Sequence, residues 1–436
     1  MSWYILFLIF VLGLFLLLSI GYWVPFALGT VGILGLLLVS GKDSLNSLGL
    51  TAWNSLNSFE LTAIPLFVFM GEIILRSGIS KRFFENTSNL IKFLPGGLLQ
   101  TNIISSAFFA AVSGSSSATV ATVGSVSIPE MKNRGYDRSM VYGSLGGGGA
   151  LGYLIPPSTA LIIYGAIVQE SVAKLFLAGI IPGVIATLIF MVYIAIRCQI
   201  NNDLVPKQIY RKSPITLNEV IRNIFGILPV LTLILIVLGG IYLGYATPTE
   251  SASLGVIMSF ILALIYKELN ISSIKGSLVS TVRTTSMIMF IILGANILSN
   301  LIVQSGINRA LTSWIISVDP SPFVFLFIVI LIYLILGTII DGLSMIFLTL
   351  PILFPLVDAM GFDAIWFGIV LVILIEIAQI TPPLGINLFI IQGIAGKDVS
   401  LGEIVKGNIP YFFLYLVLLI MIIVFPKIVL WLPSHM

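Results

Sequence analysis

Ser113-Gly114-Ser115-Ser116-Ser117 interrupts one apolar stretch of this chain, and Gly337-Thr338-Ile339-Ile340-Asp341-Gly342-Leu343-Ser344 interrupts another. A Pro-Pro pair follows downstream of each break, Pro156-Pro157 after the first and Pro382-Pro383 after the second. Glycine, proline and serine runs of this kind leave backbone N–H and C=O groups without helical partners. Hydrocarbon tolerates such groups only where they line a cavity or are buried in protein. The same defect at matching places in two halves of a chain points to a transport site near the bilayer midplane.

Composition fixes the class. Of 436 residues, 58% are hydrophobic and 9% charged, against roughly 25% charged in soluble domains. Mean hydropathy is +1.13, as expected of an all-α polytopic membrane protein. The net charge of +3 is too small to imply a nucleic-acid partner, and the basic residues fall in clusters between apolar stretches, where they act as topology signals. One cysteine, Cys198, and one histidine, His435, rule out a disulfide framework and a metal site built on those side chains. The first apolar run, Trp3 to Ile20, has neither a basic n-region nor a small-residue cleavage site and reads as a retained helix.

Ten stretches approach the ~20 residues that a crossing requires: 3–20, 23–40, 61–77, 139–165, 175–197, 225–243, 250–266, 278–303, 364–395 and 408–433. Residues 98–128 and 322–358 are broken near their middles, and their short arms make each a re-entrant hairpin. Arg76, Lys81, Arg82 and Lys92 before the first hairpin, with Lys132, Arg134 and Arg138 after it, place its ends in the cytoplasm. The polar stretch from Arg197 to Arg222 falls on the same side, and counting onward puts Asp319, Asp358 and Asp363 outside. The hairpins therefore enter from opposite faces. Each half then has about five crossings and one hairpin, and the halves run in opposite directions, an inverted repeat. Phe67 to Ile79, with Gly71 and Ser77-Gly78-Ile79, echoes Phe290 to Ile307, with Gly294 and Ser305-Gly306-Ile307. Gly114 and Gly342, and the two Pro-Pro pairs, share that offset of about 223 to 228 residues.

The exposed ends of a broken helix set the chemistry. A half-helix starting at a tip offers free N–H groups and a positive dipole end, which suit a carboxylate. One ending there offers carbonyls, and hydroxyls add oxygen ligands for a hard cation. Gly146 to Gly149, Gly152 and Pro156-Pro157-Ser158 would leave one crossing unwound beside the first tip, and Thr381-Pro382-Pro383-Leu384-Gly385 another beside the second. Each half thus holds an oxygen-rich pocket for Na⁺, with room for an anion between the tips. The glycine run also suits close helix packing alone. Asp341 and Glu376 are acids in apolar segments and functional candidates by default, though Glu376 also suits pairing within the helix bundle. Glu250, in Thr247-Pro248-Thr249-Glu250-Ser251, fits a helix cap.

Ala110 to Val120, Gly146 to Ser158, Ala246 to Glu250, Gly337 to Pro351 and Gln379 to Asn387 together resemble the large membrane (DctM-type) subunit of tripartite ATP-independent periplasmic (TRAP) transporters, of the ion-transporter superfamily. The resemblance runs over nearly the whole chain. It implies an elevator-type secondary transporter of the bacterial inner membrane in which Na⁺ drives import of an organic acid anion such as a C4-dicarboxylate or sialic acid. It is not an enzyme on this reading and has no cofactor beyond Na⁺ as coupling ion. Carried over by residue, the first Na⁺ site would comprise Ser113, Gly114, Ser115, Ser116, Ser117, Gly149, Gly152, Pro156, Pro157 and Ser158. The second would comprise Gly337, Asp341, Gly342, Ser344, Thr381, Pro382, Pro383 and Gly385, with Ser116, Ser117, Asp341 and Asn387 facing the substrate. The implied partners are a separate small four-helix membrane subunit, a periplasmic substrate-binding protein and the lipid bilayer. The expected organisation is scaffold helices in 1–60, a first transport region in 61–197, a cytoplasmic linker in 198–224, further scaffold in 225–277 and a second transport region in 278–436. A stand-alone Na⁺- or H⁺-coupled anion carrier of the same superfamily would share the fold and need no binding protein.

Overall fold

A computed structural model describes residues 3–206, 216–267, 270–396 and 398–436. Lys207, Arg211 and Lys212 of the expected linker lie outside the described residues. Among those described, the chain is helical, without strands. The first half contains α1 (Trp3–Ser19), α2 (Val24–Ser40), α3 (Asn46–Leu56), α4 (Ala63–Arg76), α5 (Ile79–Ile91), α6 (Leu98–Ser113), α7 (Ser116–Arg134), α8 (Arg138–Gly149), α9 (Thr159–Val168) and α10 (Val172–Ile200). The second contains α11 (Leu217–Tyr242), α12 (Pro248–Ile265), α13 (Ile271–Gln304), α14 (Ile307–Val318), α15 (Pro322–Gly337), α16 (Gly342–Ala359), α17 (Ala364–Gln379), α18 (Ile386–Ala395), α19 (Leu401–Val424) and α20 (Lys427–Leu430).

Among the described residues, six helices (α10, α11, α12, α13, α16 and α19) are long and apolar enough to cross a membrane, and the bent pair 42–56 with 60–76 would make a seventh span. Several of the ten expected crossings take another form. The stretches 139–165 and 364–395 each divide into two short helices, α8 with α9 and α17 with α18. α1 and α2 have 17 residues each, the lower end of the usual range for a span. α16, expected as a short arm of the second hairpin, has the length of a span by itself, because its helix starts at Gly342 and continues to Ala359. Large apolar side chains cover the outer surface, among them Leu12, Leu235 and Phe327, each more than half exposed. A multi-pass membrane protein meets lipid at such a surface, so these side chains carry no penalty.

Two corners repeat. The Ser-Gly-Ile echoes end α4 and α13 and begin α5 and α14, with Gly78 at φ +64° and Gly306 at φ +73°. Both glycines adopt the left-handed region, which a side chain disfavours, and each turns the chain into an amphipathic helix. The stretch 304–322, between an expected crossing and the second hairpin, is largely this helix α14, and 41–60, between two expected crossings, contains α3. Glu250 is settled as a cap: its N–H donates to Thr247 Oγ1 at 3.3 Å and its carboxylate accepts from Thr247 N–H at 2.8 Å, a capping box at the start of α12.

Helix packing positions the two breaks. α2 lies along α13, α4 packs on α12 and α13, and α11 packs on α12 and α5. α6, α7 and α8 pack on one another, α18 lies against α7, and α17 contacts α10, α15, α16 and α19. The break after α8 and the break after α17 are thereby brought into one region, each beside the tip of a helical hairpin, α6–α7 or α15–α16.

Candidate functional site

The first tip forms because Gly114 ends α6 in the left-handed conformation, φ +59°, with its N–H donating to Ala110 O at 2.9 Å. Ser115 then caps α7, accepting from Ala118 N–H at 3.4 Å. The tip rests on the break between α8 and α9. Gly114 O accepts from Thr159 N–H at 3.1 Å and Thr159 Oγ1 at 2.8 Å. Both contact surfaces require glycine: a Cβ on Gly114 would stand 2.6 Å from Pro157 O, and one on Gly152 would strike the Ser116 backbone. Ser158 caps α9, accepting from Leu161 N–H at 3.3 Å, and Ser113 Oγ pairs with Thr119 Oγ1 at 3.0 Å. Ser113, Gly114, Ser115, Ser116, Gly152, Pro157 and Ser158 thus converge, with Pro156 buried beside them and Ser117 half-buried on the first turn of α7. The Pro156–Pro157 and Pro382–Pro383 bonds are both cis.

The glycine run behaves differently from the unwound segment expected. Gly146 to Gly149 stay inside α8, and the break begins at Ala150. Added Cβ atoms would collide with the Asn408 side chain at Gly146, the Tyr411 ring at Gly147 and Val120 at Gly149. These glycines let α19 and α7 approach α8 closely, the packing role open to small residues. Gly149 touches the first site through Val120 of α7 rather than through a free backbone group.

At the second tip, α15 ends at Gly337 against Ala378, and Asp341 caps α16 by accepting from Ser344 N–H at 3.1 Å. Gly342 packs against Ile375 and Gln379 of α17, where a Cβ would stand 3.0 Å from Gln379 Nε2. Thr381 Oγ1 donates to Ile377 O at 2.6 Å and Thr381 O accepts from Gly385 N–H at 3.0 Å. Here the two halves differ. Pro156 and Pro157 are buried, whereas Pro382, Pro383 and Leu384 are exposed. Asn387 is fully buried, and neither atom of its amide has a hydrogen-bond partner; Gln379 Oε1 lacks one as well. A buried unpaired polar group costs about 1–3 kcal/mol, a cost that a ligand or ordered solvent bonded to Asn387 would offset.

Glu376, whose two readings were left open, is what joins the regions. It belongs to α17 of the second half, is fully buried, and its carboxylate lies 2.7 and 2.6 Å from Ser116 Oγ, which donates to it. Tyr153 N–H, in the first break, donates to Oε1 at 2.5 Å. One turn of α17 therefore presents Glu376 to the first tip and Ile375 and Gln379 to the second. No hydrogen bond joins Ser116 or Ser117 to Asp341 or Asn387 among the described residues. An acid in an apolar helix was a visible signal; its partners in the other half of the chain were not.

The N-termini of α7 and α9 at the first site, and of α16 and α18 at the second, present N–H groups and positive dipole ends. The C-termini of α6, α8, α15 and α17 present carbonyls beside them. This arrangement suits binding of a small anion and monovalent cations without covalent chemistry.

The family described as "Tripartite ATP-independent periplasmic transporter, DctM component" matches residues 11–428. A C4-dicarboxylate TRAP transporter large permease protein of Pseudomonas aeruginosa is 35% identical over 94% of each chain. A sialic acid TRAP transporter permease of Haemophilus influenzae is 32% identical, covering 87% of this chain and 61% of that longer one. Among solved structures, the Alcanivorax borkumensis YdaH transporter superposes with TM-score 0.64 at 14% identity, covering 89% of this chain and 90% of that one. Neisseria gonorrhoeae MtrF gives 0.60 at 15%, covering 91% and 85%; at these identities the likeness is one of fold. With its membrane-transporter fold, paired tip-and-break sites and end-to-end family match, the chain belongs to the DctM family of TRAP transporter large permease proteins.

Proposed function

We propose that this permease couples inward movement of Na⁺ to uptake of an organic acid anion, in the class of the C4-dicarboxylates and sialic acids carried by its relatives. The observation that carries the reading is the pair of tip-and-break sites flanking one turn of α17, each combining carbonyl ends, hydroxyls and helix N-termini. Hydroxyl and carbonyl oxygens of Ser113, Ser115 and Gly114 suit a hard monovalent ion. The unpaired amide of Asn387, beside the α18 N-terminus, suits the carboxylate of a substrate. Glycines at the tips permit the close backbone approach that such ligation needs.

In this proposal the halves are an inverted repeat, and the hairpins with their broken helices move as an elevator against scaffold helices in the bacterial inner membrane. A separate small membrane subunit enlarges the scaffold, and a substrate-binding protein delivers the anion from the periplasm. Support comes from family membership and from the repeated order of Ser-Gly corner, hairpin and Pro-Pro break in the two halves.

The test is uptake into vesicles holding the permease and both partners. An inward Na⁺ gradient should drive accumulation of a labelled organic acid, K⁺ in its place should not, and the permease alone should transport little. Equal uptake under both salts would remove the Na⁺ coupling. Robust uptake by the permease alone would favour a stand-alone carrier.

A further inference from the structure

Among the described residues Glu376 is the single fully buried acid or base. Its contacts are neutral donors, the Ser116 hydroxyl and the backbone N–H groups of Tyr153 and Leu154, and no lysine, arginine or histidine pairs with it among the described residues. Burying a carboxylate without a counter-charge is costly, and hydrogen bonds to neutral donors offset only part of that cost. A position needing only these hydrogen bonds would be served by glutamine. The amide oxygen, with two lone pairs, would accept from the Tyr153 and Leu154 N–H groups, and the Ser116 hydroxyl would turn to accept from the amide nitrogen. What a carboxyl group adds to those hydrogen bonds is the capacity to carry a negative charge, the property that a bound cation would use.

The place of that charge decides its role. Glu376 touches Ser116 and Tyr153, the two backbone segments that face each other where Gly152 meets the tip. The carbonyl ends of α6 and α8 lie in the same region, so a cation held there by oxygen atoms would sit beside an uncompensated negative charge.

We infer that Glu376 is the charge-bearing residue of the first cation site, set behind the tip so that a monovalent cation bound by tip and break neutralises it. The inference rests on the Na⁺ reading above and adds a residue from the opposite half to that site. It makes Na⁺ the missing counter-ion of a buried acid. Cation release then leaves the charge without compensation, which ties Na⁺ occupancy of the first site to the turn of α17 that also contacts the second tip.

Thermal unfolding of the purified permease in lipid nanodiscs, titrated with NaCl against choline chloride, tests this without transport. A ligand that binds the folded state raises the midpoint with its concentration. The wild type should show a Na⁺-dependent rise. Glu376→Gln should keep or raise the midpoint in choline while its half-saturating Na⁺ concentration increases at least about tenfold, as expected for loss of a unit charge next to a bound cation. Glu376→Asp, which keeps the charge but shortens the reach to its donors, should lower the midpoint in choline and retain a Na⁺-dependent rise. A wild-type Na⁺ titration in Glu376→Gln, or a Gln variant that is unfolded in choline while the Asp variant folds, would overturn the assignment and leave the Na⁺ reading standing. No Na⁺ effect on the wild type would remove both.

Discussion

Gly152→Ala gives the most direct test of the contact between the first tip and its break. Gly152 has no need of a left-handed conformation, so alanine fits its backbone, and the effect is confined to the space a Cβ would take. That space holds the N and Cα of Ser116, with Ser115 C at 2.5 Å, all backbone atoms that cannot swing aside. Overpacking of this kind costs typically about 1–3 kcal/mol. The cost falls on the arrangement in which tip and break touch, leaving an opened one untouched. If Na⁺ binds only the closed arrangement, its apparent affinity falls with the closed fraction, by about 5- to 150-fold for that range of energies. Uptake measured against Na⁺ concentration in vesicles with both partners should show a half-saturating concentration raised by that factor and a rate that recovers at high Na⁺. Gly29→Ala, which meets nothing within 4 Å, is the control and should behave as wild type. A Gly152→Ala permease with the wild-type Na⁺ dependence would refute the reasoning.

Asn387→Leu should raise or preserve the melting midpoint, since it removes two unpaired buried polar atoms worth about 1–3 kcal/mol, and should still abolish uptake; a stable variant that transports would dissociate Asn387 from the substrate. Asp341→Ala removes the cap of α16 at a cost of about 1 kcal/mol and should reduce uptake far more than it lowers the midpoint, with proportionate losses in both pointing to the cap alone. Because Cys198 is buried, cysteines placed at Lys132 and Asp358 can be probed in the native background; membrane-impermeant reagents should label the first only from the cytoplasmic face and the second only from outside, and labelling of both from one face would exclude opposed hairpins.

Much of this site was legible in the sequence because its features are expensive in a membrane. Ser113 to Ser117, Asp341-Gly342 and the Pro-Pro pairs stand out against apolar neighbours, and each lies at a helix break. Gly78 and Gly306 were visible as echoes, and their left-handed corners account for the match. Gly146 to Gly149 stayed open between two readings for a physical reason: a glycine that admits a neighbouring helix and a glycine that unwinds its own look the same until the neighbour is known. Asn408 and Tyr411 of α19, far along the chain, supply that neighbour. The amphipathic helices α5 and α14 went unread because, at 13 and 12 residues with polar faces, neither resembles a span.

Glu376 was ambiguous because its partners stand 260 and 223 residues away, a pairing that no local pattern encodes. Its position also shows where the two halves part. The residue that stands as far before Pro156 as Glu376 stands before Pro382 is Ala150, and the residue before Gly114, matching Asp341 before Gly342, is Ser113. Neither first-half counterpart is acidic. Asp341 remains at its own tip, whereas Glu376 reaches across to the tip of the other half. The second half therefore supplies one carboxylate to each site, and the first half supplies neutral oxygens. If each site takes one cation, as proposed, each then has a carboxyl group of the second half beside it, and an acid that crosses from one half to the other makes the first site depend on both halves being in place.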